Sequence, residues 1–104
     1  MILSTIEHLP GRQYEILGVV KGCIVNTKHV GKDIGASFKT IVGGELKGYT
    51  EMLEEARQAA DSRMIQAALN MGADAIIGIR YSTSSIMPGA AEIMVYGTAV
   101  RFTE

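Results

Sequence analysis

The stretch YTEMLEEARQAADSRMIQAALNMGADAIIGIRYST, residues 49–83, decides the fold. Leu53, Ala56, Ala60, Met64, Ala67 and Met71 recur at steps of three or four, which lays one apolar stripe along a helix. The helix starts near Tyr49 or Thr50 and ends near Asn70, with Gly72 placed as the left-handed residue that closes it. Glu51, Glu54 and Glu55 fall at its start, where the macrodipole favours negative charge. The stripe is mostly Ala and Met, and small residues let a helix approach its partner closely. Beyond Gly72 the period changes: Ala73 to Thr83 reads as a strand, Glu92 to Phe102 as another, and Ser84 to Ala91, with Pro88-Gly89, as the loop between them. Neighbouring strands joined so briefly form an antiparallel hairpin.

Working back from the helix, Asp33 is placed to cap a short helix over Ile34 to Val42, which Gly43-Gly44 ends. Before it, Tyr14 to Thr27 is rich in Ile, Val and Leu and reads as a long strand, with Gly18 and Gly22 as bend or bulge positions. Ile2, Leu3 and Ile6 belong to a lead-in that can pair with a sheet edge. The expected fold is α+β, a two-layer β-α-β-β domain spanning residues 1–104, with a three-stranded antiparallel sheet on one long helix.

Parity then argues for assembly, because alternate strand side chains face opposite sides. In the first strand Ile16, Val20 and Ile24 oppose Leu17, Val19, Cys23 and Val25. In the second, Ala75, Ile77, Ile79 and Tyr81 oppose Ile76 and Gly78. In the third, Ile93, Val95 and Ala99 oppose Met94, Tyr96, Val100 and Phe102. Both faces are apolar, and one long helix covers one of them. The short helix shields part of the other, and the remainder calls for a second subunit, since soluble monomers seldom expose large apolar patches; the alternative is a monomer in which the short helix and the lead-in cover that face.

Composition narrows function mainly by exclusion. The chain has 104 residues, ten Lys and Arg against eleven Asp and Glu, and a net charge of -1, so it lacks the electrostatic footprint of a nucleic-acid binder. No apolar run approaches the roughly 20 residues that cross a bilayer, and the start shows no secretory pattern. A single cysteine fits a reducing, cytoplasmic setting. No P-loop, nucleophile elbow or paired metal-ligand motif occurs. The metal-ligating candidates are Cys23 and His29, six residues apart and thus about 20 Å along an extended strand. They hold a transition-metal ion only where subunits meet. An enzyme reading would place Arg80, Asp74 or Glu51 at a subunit interface.

Five segments together carry a likeness: Gly31-Lys32-Asp33-Ile34-Gly35-Ala36, Ile41 to Glu51, Glu55-Ala56-Arg57, Gly72 to Arg80, and Tyr96-Gly97-Thr98-Ala99-Val100. In order and spacing they resemble the YbjQ-like family of small bacterial and archaeal proteins. The resemblance implies a dodecin-subunit-like fold, ring-shaped pentamers with extra short strands at the interfaces, and a heavy-metal-binding label with no assigned enzymatic activity. It assigns no ligand residues. Arg80, ionisable within a strand, needs a carboxylate or carbonyl partner, either within the chain or across subunits.

Overall fold

The computed structural model describes residues 1–27, 41–42 and 45–104. Strands β1 (Ile2–Leu3), β2 (Tyr14–Thr27), β3 (Ile41–Val42) and β4 (Glu45–Leu46) precede helix α1 (Lys47–Asn70), which leads into β5 (Ala75–Met87) and β6 (Ala90–Phe102). The class is α+β as expected. The main sheet, however, has four strands in the order β1-β5-β6-β2 and is mixed rather than all antiparallel. The added strand is the lead-in: Ile2 and Leu3 pair parallel with Ala75 and Ile76. The β5 edge would otherwise leave backbone groups unpaired, and the amide of Ser4 fills one such position by donating to the Ile76 carbonyl at 3.0 Å.

The expected short helix over Ile34 to Val42 lies mostly outside the described residues. Its last two residues are not helical: Ile41 and Val42 pair antiparallel with Leu46 and Glu45 in a separate two-stranded ribbon. Helix α1 begins two residues earlier than the periodicity suggested. Glu51, Glu54 and Glu55 therefore lie beyond its first turn, out of reach of most of the dipole. Gly72 closes the helix with φ +78°, as expected.

The hairpin is longer than its composition indicated. Ser84 to Met87 and Ala90-Ala91 are strand, not loop, and the connection shrinks to Pro88-Gly89. The run of Ser and Thr at 82–85 is turn-like by propensity, yet each of these residues faces a β6 partner, and pairing outweighs propensity in a strand.

Three register shifts re-phase the strands, the last of them between Ser85 and Met87 at the hairpin tip. Between Ile16 and Gly18 the β2 ladder gains a residue, and between Ile77 and Arg80 the β5 ladder does the same. Gly78 sits in the second bulge at φ +63°, a left-handed conformation that costs a residue with a Cβ. Each bulge swaps the faces beyond it, so two parity assignments are corrected. Leu17, not Ile16, packs with Val20 and Ile24 under the helix, and Ile79 joins Ile76 there instead of lying with Ala75 and Ile77. In β6, where no bulge intervenes, Ile93, Val95 and Ala99 face the helix as expected.

The core lies between α1 and the sheet. Ala56, Ala60, Met64 and Ala68 are fully buried there against Ile76, Ile93, Val95 and Ala99. Gly22 proves to be a contact position rather than a bend. A Cβ on it would fall 1.9 Å from the Ala60 carbonyl oxygen, so the strand and helix backbones touch there.

Candidate functional site

The sheet face turned away from α1 is where the chain leaves chemistry exposed. One end of it is covered. The lead-in folds back so that Leu9 packs on Ala75, Ile77 and Val100, with Tyr14 and Phe102 beside them. Backbone bonds fix it: Gly78 donates to the Ile6 carbonyl at 2.8 Å and Ile79 to that of Ser4 at 3.1 Å. Arg80 completes the clamp, donating to the Thr5 carbonyl at 2.8 Å and standing 3.6 Å from the Glu7 carboxylate. It also donates to the Ile79 carbonyl at 2.8 Å, so its partners are two carbonyls and a carboxylate, all within the same chain. At the same end Arg12 lies over the Phe102 ring and His8 Nδ1 is 2.9 Å from the Tyr14 hydroxyl. Asp74 accepts a hydrogen bond from the Phe102 amide at 2.8 Å, which ties the start of β5 to the end of β6.

Beyond the lead-in the face is open. Ile16 is 70% exposed, Val19 73% and Val25 58%, an unusual state for branched apolar side chains in the middle of a strand. Lys21 pairs with Tyr96, Val19 with Thr98 and Val25 with Glu92 across the β2–β6 ladder, so these residues share one continuous strip. Strand β2 is also the outermost strand of the sheet, 14 residues long and without proline. Such an edge is a ready template for further pairing.

Cys23 lies within this strip. A lone cysteine is usually a small buried hydrophobe, but this thiol side chain is exposed, because plain alternation with Val20 and Ile24, which pack under the helix, turns it to the open face. Its partner across the ladder is Met94, which in turn faces Ser82 of β5. Strand periodicity alone gave no way to see that Met94 stands opposite the thiol. The second metal candidate, His29, lies outside the described residues. Among the described residues no three of His, Cys, Asp and Glu gather closely enough to hold a metal ion.

The helix side offers one further concavity, a cleft of about 220 Å³ between α1 and the hairpin tip, lined by Met52, Leu53, Thr83, Ser85 and Met87. Close to it the Tyr81 hydroxyl donates to Asp61 at 2.8 Å. Partial burial and that bond raise the Tyr81 pKa above its ordinary value, against a smaller opposing pull from Arg57.

Residues 1–103 match the family described as "Putative heavy-metal-binding", the YbjQ family. The chain belongs to it. Within the YbjQ family, the UPF0145 protein of Thermotoga petrophila is 64% identical over 102 residues, covering 97% of this chain and 96% of that protein. The UPF0145 protein of Thermus thermophilus is 57% identical, over 97% of this chain and 90% of its own length. A solved structure from Pediococcus pentosaceus, a protein of unknown function in the DUF74 family, superposes with a TM-score of 0.67 at 21% identity, over 98% of this chain and 97% of that one. That likeness supports the fold. No helix among the described residues is long and apolar enough to cross a membrane.

Proposed function

We propose that this YbjQ-family chain is a non-catalytic cytoplasmic protein that works as a self-associated ring and takes up a heavy-metal ion or small ligand where its subunits meet. The observation that carries the reading is the open strip of Ile16, Val19, Val25 and Tyr96 beside a free edge strand. The molecule's dimensions support it. The chain extends over 55 × 26 × 17 Å with a radius of gyration of 17.1 Å, whereas a compact chain of this length has about 13 Å. Among the described residues, so long and thin a slab leaves much of one sheet face without a second layer.

Magnitudes indicate what the assembly needs. Burying the exposed parts of four such side chains is worth about 5 kcal/mol. Losing the freedom of a separate subunit costs roughly 4–15 kcal/mol. The strip alone therefore falls short of a tight ring, and the backbone groups of the β2 edge have to contribute, at about 1 kcal/mol per bond. Five subunits is the number the family resemblance implies. Two of the three residues an enzymatic reading would recruit are engaged in holding the fold, Arg80 in the lead-in clamp and Asp74 at the Phe102 amide. The heavy-metal part of the reading rests on the family's description.

Native mass spectrometry at micromolar concentration tests the assembly. A defined ring is expected for the wild type and single folded chains for Val19→Lys, which places a charge in the middle of the strip. A wild type that stays a single folded chain overturns the reading.

A further inference from the structure

We infer that Cys23 and Met94 form a two-sulfur site for a soft monovalent cation of the Cu+ or Ag+ class. The inference rests on the heavy-metal reading above and names its ligands and its ion. Cys23 and Met94 are direct partners in the antiparallel ladder, so their side chains leave the same face of the sheet side by side. Paired Cβ atoms in such a ladder are about 4.5–5.5 Å apart. At that spacing a thiol and a flexible thioether on neighbouring strands can turn toward one ion. Cys23 is exposed and Met94 half-buried, so the ion reaches the pair from solvent.

The donor set decides which ion. A thiolate and a thioether are soft ligands, suited to a d10 monovalent cation that accepts two donors. Zn2+ takes four ligands from thiolate, imidazole or carboxylate. This row continues only to the Ser82 hydroxyl. The nearest carboxylate along β6 on this face, Glu92, belongs to the next row, opposite Val25. Among the described residues no borderline-ligand cluster exists to complete a divalent site. Binding replaces the thiol proton, which passes to solvent, and no electron is transferred. The site lies in the strip that assembly covers, flanked on β2 by Lys21 and Val25, so the bound ion would sit at a subunit contact.

The test titrates reduced protein with Ag+, a redox-silent probe, in chloride-free buffer under nitrogen. Thiolate-to-metal absorption and native mass are followed together. One Ag+ per chain is expected for the wild type and none for Cys23→Ser. Met94→Leu keeps the volume of the side chain and should weaken binding about tenfold or more. Met87→Leu, at the hairpin tip, should leave binding unchanged, and equimolar Zn2+ should not displace the silver. The inference is overturned if Met94→Leu binds like the wild type, since Cys23 is then a bare thiol, or if Zn2+ competes on equal terms. Metal uptake that survives both substitutions removes these ligands and leaves the heavy-metal reading standing. A ring that takes no Ag+ removes the site and leaves the assembly standing. Circular dichroism on each variant confirms that the fold is retained.

Discussion

Under α1 the sheet presents Val20, Gly22, Ile93, Val95, Ala99, Ile76 and Ile79, all buried. On the reverse, the same strands present Ile16, Val19, Val25 and Tyr96, all exposed. The two sets are about equally apolar. They differ in what they meet. The helix brings Ala56, Ala60 and Ala68 to the surface it shares with the sheet, and Gly22 lets the backbones touch at Ala60. Small residues on one side and branched ones on the other give a close-packed layer. The reverse face has branched and aromatic side chains and no small-residue partner in the described part of the chain. The reverse face also interleaves Lys21, Thr98 and Glu92 with its apolar residues, and the distribution of side-chain size further tells the two faces apart.

That contrast predicts opposite outcomes for substitutions on the two faces. The largest effect belongs to Gly22→Val. The new side chain would run into the Ala60 carbonyl and the Met64 amide, both backbone, so nothing flexible can yield. A loss of about 3 kcal/mol or more is expected, read from the urea midpoint. A Gly22→Val protein as stable as wild type would mean that the helix does not lie where it is described. Next is Met64→Ala, which empties a fully buried site at the centre of the same layer. It should cost about 2–5 kcal/mol by the same measurement.

On the reverse face the fold should scarcely respond. Val19→Thr is expected to change unfolding free energy by no more than about 0.5 kcal/mol once assembly is allowed for, while the fraction of assembled protein falls in sedimentation. If it destabilises the fold as Met64→Ala does, the two faces are not distinct. The smallest effect is at Tyr81, on the helix side. The folded chain holds this phenol proton more tightly than the unfolded chain does, through partial burial and the bond to Asp61. That contribution is whole below the ordinary value of 10.0 and drains away as pH rises through the folded value. Tyr81→Phe should therefore flatten the fall in melting temperature as pH rises above the ordinary value of 10.0. An unchanged alkaline limb would remove Asp61 and burial as its cause.

Much of this architecture was readable in the chain. Helix α1 declares itself because a 3.6-residue repeat with a glycine stop has no other regular solution, and β2 appears with the limits its composition set, Tyr14 to Thr27. The lead-in's pairing with a sheet edge was also anticipated from Ile2 and Leu3. The candidate site was half legible. Cys23 was identified as a soft ligand, but its partner Met94 was not visible. A ligand pair across a ladder depends on which residue stands opposite which, and sequence spacing of about seventy residues carries no such information.

The amino-acid order by itself determined the long helix, the three long strands and the family membership, because periodicity and motif spacing are local properties of the chain. Tertiary structure alone decided the register. It placed an extra residue near Leu17 and another at Gly78, turned Ile16 out and Ile79 in, and set Cys23 beside Met94. The physical reason is that a bulge is a choice made between two strands. It relieves the twist and packing of the pair against the helix, and no single strand's alternation records it.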